Sequence, residues 1–130
     1  MLDTNVVSAF MHSRSPALDR RIARHDRPAL LLSAVGYGET QYGLTRRPDA
    51  TRLHTMARAL FERVTILDFT RTSAECYGRL RTDMQRAGRA LQPLDMLIAA
   101  HALEAGATLV SSDRAFQDVP GLAVEDWTAA

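Results

Sequence analysis

The chain has 130 residues, of which 46% are hydrophobic and 24% charged, and its formal net charge is +1 at pH 7. These values predict a single globular domain over residues 1–130 and exclude a strongly basic nucleic-acid-binding domain. All 16 basic residues are arginine, so a Walker A phosphate loop and a Schiff-base lysine are both excluded.

The cysteine content and the length of the apolar stretches indicate in which cellular compartment the protein resides. Cys76 is the only cysteine, which excludes an internal disulfide and suits a reducing environment. The start of the chain lacks the pattern of a signal peptide, and the apolar stretches at 29–32 and 96–100 are too short to span a bilayer. We therefore expect a cytoplasmic protein with no membrane partner.

Short apolar runs alternate with helical patterns along the chain. Pro16 suits a first helical turn, Ser33 suits an N-cap, and Gly106 suits a C-cap. The predicted elements are a short first strand ending at Asp3, helices over 5–10 and 16–25, a strand over 29–32, helices over 34–44 and 50–63, a strand over 64–67, a long helix capped by Thr70 or Thr72 and ending at Gly88, a helix from Pro93 to Gly106, a strand over 108–111, a turn over 113–116 and a strand over 122–124. This order predicts an α/β fold around a mostly parallel sheet.

Four carboxylates occupy positions at which such a fold gathers functional groups. In open α/β sheets, the functional crevice lies beyond the carboxyl ends of the strands. Asp3 ends the first strand, Asp113 follows a buried strand, and Asp95 lies in the first turn of a helix. Glu39 lies within the helix over 34–44. Asp95 and Glu39 both have small or apolar neighbours, which is unusual for acids on a solvated face.

Each acid also has a purely structural explanation. Asp3 and Asp113 suit caps or turns, while Asp95 complements a helix dipole. Glu39 could face solvent. If the four meet in a half-buried rim, however, they repel one another and require a cation, and oxygen ligands favour Mg²⁺ or Mn²⁺ over Zn²⁺. The four histidines lack metal-ligand spacing, and no motif for a serine or cysteine nucleophile is present.

Several segments together resemble the PIN domain of VapC-type toxins. They are LDTN at 2–5, the stretch from Ser33 through Glu39 to Gly43, PLDMLIAAHA at 93–102 and LVSSDRAF at 109–116. The segment VPGLAVEDW at 119–127 is similar to the C-terminal segment of one VapC subgroup. The resemblance covers nearly the whole chain and implies a PIN-like three-layer fold, with a mostly parallel central sheet flanked by helices.

The resemblance also implies an activity and its participants. It implies a metal-dependent endoribonuclease, the toxin of a type II toxin–antitoxin pair, which uses one or two Mg²⁺ or Mn²⁺ ions. The implied partners are RNA, a VapB-like antitoxin and a second copy of the toxin within a larger complex. The subgroup resemblance points to a structured RNA such as initiator tRNA. By position, the acidic quartet that binds metal and catalyses is Asp3, Glu39, Asp95 and Asp113, and the accessory polar positions are Asn5 and Ser111.

Two features depart from the usual family pattern or extend it. Only two residues precede Asp3, fewer than is usual in the family, so we expect a short first strand. Asp118 lies near the acidic site in sequence, and we interpret it as part of a solvated turn rather than as a fifth acid.

The arginines are concentrated in the segments 20–27, 46–52 and 79–89. A guanidinium group binds phosphate through two parallel hydrogen bonds, so some of these residues are candidates for RNA-backbone contacts. The candidates are Arg20, Arg21, Arg46, Arg47 and Arg89. The alternative is that these arginines form solvated helix faces that pair with local acids.

Two other functions remain open at this stage. In the first, the acids only stabilise helix starts and the chain is a noncatalytic binding module. In the second, the chain is a metal nuclease that acts on DNA. Phosphotransfer from Asp3 is disfavoured, because lysine is absent and position 5 is asparagine rather than an acid.

Overall fold

The computed structural model describes residues 1–26 and 29–129, and its order of elements confirms the predicted α/β alternation. Arg27, in the first arginine-rich segment, lies outside the described residues. Within those residues, no helix is long and apolar enough to cross a membrane. The helices are α1 (Thr4–Met11), α2 (Pro16–Ala23), α3 (Ala34–Thr45), α4 (Thr51–Phe61), α5 (Arg71–Arg86) and α6 (Pro93–Glu104), and the strands are β1 (Leu31–Ser33), β2 (Thr65–Leu67), β3 (Leu109–Val110) and β4 (Val124–Glu125).

The sheet is built from two parallel strand pairs that the first three residues join. β1 pairs with β2, and β3 pairs with β4. Leu2 forms a parallel bridge with Val110, and its backbone N–H donates to the carbonyl of Leu31 at 2.8 Å. The resulting order is β2, β1, residues 1–3, β3, β4. The predicted parallel sheet is confirmed, and its first strand is reduced to a single bridge.

Successive residues of the central strands face opposite sides of the sheet, as the period of a strand requires. Leu2, Leu32 and Val110 belong to a core cluster with residues of α1 to α4. Their chain neighbours Met1, Leu31 and Leu109 pack instead with residues of α5 and α6. The sheet therefore lies between two helical layers, which confirms the predicted three-layer architecture.

Several predicted boundaries are confirmed and others shift by one or two residues. Thr70, rather than Thr72, caps α5 through a reciprocal pair of hydrogen bonds with Ser73. Gly106, with φ of +65°, lies one residue beyond the C-cap of α6, where glycine relieves the strain of the left-handed conformation. β1 ends at Ser33 instead of residue 32, so Ser33 belongs to the strand and also caps the next helix. The predicted turn over 113–116 is a 3₁₀ helix, Arg114–Asp118.

Ser33 connects α3 to α6 through a buried histidine. Its Oγ accepts a hydrogen bond from the backbone of Val35 and lies 2.7 Å from Nδ1 of His101. His101 is 1% exposed, and burial lowers the pKa of its imidazole. The ring also donates to the backbone carbonyl of Asp68. A neutral imidazole has one donor and one acceptor nitrogen, so Nδ1 is left to accept the hydroxyl proton of Ser33. This contact fixes the start of the helix that carries Glu39 against the helix that carries Asp95.

We expect Ser33→Ala to lower the free energy of unfolding by about 2 kcal/mol. About half of this loss comes from the missing helix cap, and the rest from a buried imidazole nitrogen left without its donor. Urea denaturation measures the change, and Ser112→Ala, at an exposed position, is the control. Equal stability of the Ser33→Ala variant and the control would show that the Ser33–His101 contact does not stabilise the fold.

Candidate active site

Asp3 lies at the centre of the sheet, at the point where the first segment passes into α1. Its side chain is almost fully buried, with 1% of the residue exposed. Oδ1 accepts from the backbone N–H of Thr4 at 2.7 Å, and Oδ2 accepts from Oγ of Ser111 at 2.9 Å. Asp3 therefore caps α1, as its structural explanation predicts, and its carboxylate is also held in a fixed orientation at the strand end.

Ser111 connects two of the predicted acids. Besides donating to Asp3, its Oγ accepts from the backbone N–H of Asp113 at 3.0 Å. The carboxylate of Asp113 in turn accepts from the backbone N–H of Ala115 at 2.9 Å and caps the 3₁₀ helix. Ser111 thus fixes the loop that places Asp113 beside Asp3, which is a positional role for this predicted accessory residue.

Glu39 lies half-buried on α3, and a residue absent from the predicted site holds it. Oγ1 of Thr4 donates to Oε1 of Glu39 at 2.8 Å. Space for this contact comes from Gly36, since a Cβ there would lie 3.3 Å from Cδ1 of Leu32 and 3.5 Å from Oγ1 of Thr4. Thr4 therefore contacts both Asp3 and Glu39. Its position between Asp3 and Asn5 was the available sequence signal, but the contact with Glu39 spans 35 positions.

The four predicted acids influence one another electrostatically. Burial raises the pKa of Asp3 to about 6, and the nearby carboxylates of Asp95 and Asp113 contribute to the rise, against the hydrogen bonds from Ser111 and Thr4. The pKa of Asp95 is also raised, first by burial and then by the charges of Asp113 and Glu39. The structure therefore brings the four predicted acids into one group with excess negative charge.

The donor chemistry of this group fits a hard divalent cation. Across residues 1–26 and 29–129, no three His, Cys, Asp or Glu side chains stand arranged to hold a metal ion as they are. Burial is the main cause of the raised pKa values of Asp3 and Asp95, and repulsion from the neighbouring carboxylates adds to it. A cation would remove the repulsion, and a set of carboxylate oxygens matches Mg²⁺ or Mn²⁺.

A cleft of about 260 Å³ adjoins Glu39 between α1 and α3. Thr4, Asn5 and Glu39 line its acidic end, and Arg46 and Arg47 line it as well. Asn5 is exposed. Of the four acids, Glu39 alone lines this cleft, together with the guanidinium groups of Arg46 and Arg47.

The other arginine candidates lie elsewhere. Arg20 lines a separate depression with Arg14 and Thr128. Arg21 pairs with Glu125 at 3.5 Å and stacks on the ring of Trp127. These positions agree with the interpretation of solvated faces and local pairing.

Arg89 has a local partner too. It forms an ion pair with Asp118, with 2.6 Å between Nη1 and Oδ1, and both side chains are about half exposed. Asp118 is the last residue of the 3₁₀ helix, not part of a turn as predicted, and its half-exposed carboxylate pairs with a cation.

Comparison with known proteins identifies the family of this fold and site. Residues 1–122 match the PIN domain family. The chain belongs to this family. The four predicted acids all lie within the matched residues.

Individual PIN-domain relatives match over almost their whole length. The tRNA(fMet)-specific endonuclease VapC of Shigella flexneri is 31% identical over 129 residues, with 98% of this chain and 97% of the relative covered. Ribonuclease VapC2 of Rickettsia felis is 28% identical over 131 residues, with 98% and 96% covered. A chain in the crystal structure of VapBC2 from Rickettsia felis bound to a DNA fragment from their promoter superposes with a TM-score of 0.89 at 26% identity, with 96% of each chain covered. These matches confirm the VapC resemblance and the predicted fold.

We expect Asp3→Asn to raise the free energy of unfolding by about 1–3 kcal/mol at pH 7–8 in the presence of a chelator. The folded-state pKa of Asp3 is about 6 against an ordinary value of 3.8, so ionising this group costs the folded state stability as pH rises through that interval. The gain should shrink between pH 6 and 4 and vanish below about pH 4, where both states are protonated.

Denaturation series at several pH values measure this difference. Asp83→Asn, at an exposed position on α5, is the matched control. A stability gain that does not depend on pH would show that charge on Asp3 is not what destabilises the fold.

Proposed function

We propose that this PIN-domain chain is a metal-dependent endoribonuclease and the toxin of a type II toxin–antitoxin pair. The observation that carries the proposal is the grouping of the acids: the buried Asp3 lies near the charges of Asp95 and Asp113, and Asp95 lies near those of Asp113 and Glu39. Carboxylates whose pKa is shifted by burial together with specific charged neighbours are candidates for functional sites. The names of the VapC relatives support ribonuclease activity.

The ligands would be the carboxylates of Asp3, Glu39, Asp95 and Asp113. A divalent cation supplies acidification of water and charge stabilisation at the scissile phosphate. Attack by water, without use of the 2′-hydroxyl, would leave a 5′-phosphate and a 3′-hydroxyl on the products.

The remaining groups of the chain orient this ligand set. The hydroxyl of Thr4 donates to one oxygen of Glu39, and the hydroxyl of Ser111 donates to one oxygen of Asp3. These bonds fix the directions of the remaining lone pairs. Caps formed by Asp3 and Asp113 bind these carboxylates to backbone N–H groups. Because these carboxylates are already held in a fixed orientation, the site does not need to rearrange its charged groups during the reaction.

The proposed partners and substrate are inferred from the names of the same relatives. We propose a VapB-type antitoxin, because the superposed Rickettsia chain comes from a VapBC2 complex. We propose RNA as the substrate and tRNA as its class, because the relative from Shigella flexneri is a tRNA(fMet)-specific endonuclease. A homodimer within the larger complex is part of the same proposal.

We expect Asp95→Asn to abolish RNA cleavage while leaving the fold intact. The substitution removes one negatively charged oxygen ligand. It also removes repulsion between Asp95 and its acidic neighbours, so the variant should be at least as stable to unfolding as the wild type. Cleavage of total tRNA, followed by mapping of the product ends with and without Mn²⁺, measures the effect. Asp49→Asn, at an exposed position between α3 and α4, is the charge-matched control.

The same assay separates the alternative functions. A metal nuclease for DNA would cut DNA and leave RNA intact when both are offered together. A noncatalytic binding module would show no Mn²⁺-dependent rise in melting temperature in the wild type. Retained cleavage by purified Asp95→Asn would remove this residue from the proposed ligand set.

We further expect Arg46→Ala and Arg47→Ala to weaken RNA binding and to lower its salt dependence. Each lost contact with a single-stranded phosphate reduces the slope of log K against log salt by about 0.7. Fluorescence anisotropy with the non-cleaving Asp95→Asn protein measures the slope. Arg20→Ala, in the separate depression, is the control, and an equal loss of slope there would contradict a cleft-centred path for the RNA.

A further inference from the structure

Tyr42 on α3 is unusually exposed for an aromatic residue. It is 64% exposed, more than either of the other exposed large hydrophobic residues, Leu94 and Ile66. The guanidinium carbon of Arg46 lies over its ring, 4.8 Å from the centroid. The ring is therefore held in place on one side by a cation while much of its surface remains open to solvent.

The position of Tyr42 relates it to the acidic site. Glu39 stands three residues before it on α3, and Arg46, the C-cap of that helix, stands four residues after it; both line the cleft. Side chains at these spacings are neighbours on a helix surface, with about 5–6 Å between Cβ atoms. The ring therefore contacts the guanidinium of Arg46, which lines the cleft, and lies on the helix surface next to the position of Glu39, just outside the cleft lining.

A second tyrosine–arginine pair at the same spacing shows what a structural pair looks like in this chain. On α5, Arg81 donates from Nη1 to the hydroxyl of Tyr77 at 2.9 Å, and the Tyr77 ring is half-buried against the core. Tyr42 packs against no such core, so its exposed ring surface adds nothing to fold stability by burial. An exposed aromatic ring next to basic groups is instead the arrangement with which proteins bind unpaired nucleobases.

We propose that the open surface of Tyr42 stacks against an unpaired nucleobase next to the scissile phosphate, with Arg46 holding the ring and contacting the adjoining backbone. This inference rests on the proposed ribonuclease function and specifies its substrate as single-stranded RNA at the cut site. The positive charges of Arg46 and Arg47 complement the phosphates on either side of such a base. A duplex would not present the base, because its bases are stacked on each other.

The test uses single-stranded RNA oligonucleotides with 2-aminopurine placed at successive positions around the bond that the wild type cleaves. Stacking quenches the fluorescence of 2-aminopurine. Binding to Asp95→Asn protein should quench the signal at one position, and adding Tyr42→Leu should abolish that quench and weaken binding about tenfold. Tyr42→Phe, which keeps the ring and loses only the hydroxyl, should retain both the quench and the affinity.

The outcomes separate this inference from the proposed function. If the wild type cleaves RNA but Tyr42→Leu binds and quenches like Tyr42→Phe, the stacking role is wrong and the nuclease assignment stands. If the wild type neither binds nor cleaves RNA, both are wrong. If Tyr42→Leu leaves RNA binding unchanged and disrupts self-association or antitoxin binding, the ring is a protein contact and the inference is overturned. Thermal melting of each variant confirms that the exposed substitution leaves the fold intact.

Discussion

The passage of residues 1–3 through the middle of the sheet is the constraint on which the rest of the structure depends. These residues lie between two strand pairs that otherwise do not pair with each other among the described residues, and hydrogen bonds run from them to Leu31 on one side and Val110 on the other. Because this segment is central, the residue at its end is necessarily buried. That residue is Asp3, so the topology itself places an ionisable group in a desolvated position.

The burial of Asp3 explains the hydrogen-bond donors that surround its carboxylate. A buried carboxylate needs hydrogen-bond donors, and Asp3 obtains them from the backbone of Thr4 and the side chain of Ser111. These donors lower the pKa of Asp3, yet burial and the neighbouring acids outweigh them. The site therefore retains uncompensated charge in the folded protein. Such charge costs stability, and the proposed binding of a cation at this site would offset that cost.

The features that sequence could predict are those that local chemistry determines. Ser33 and Thr70 cap helices because their side chains reach backbone groups within three residues, and strand ends place Asp3 and Asp113 at one edge of any parallel sheet. The contact of Thr4 with Glu39 and that of Ser33 with His101 depend on how distant elements pack, and no spacing rule encodes them. The same limit applies to the arginines, because their segments are visible in the sequence but their partners are tertiary.

Helix α3 shows how a nearly neutral chain can combine opposite charges in one site. Ser33 caps the start of this helix, Glu39 lies within it, Arg46 is its C-cap and Arg47 follows directly. Interactions between exposed charges are screened over about 8 Å at physiological ionic strength, so a phosphate at the guanidinium groups is attracted mainly by those groups and not by the chain's net charge of +1. An acidic centre and a basic cleft can therefore act on the same strand without cancelling, provided that their separation is fixed. A single rigid helix, tied at its start to α6 through His101, fixes that separation.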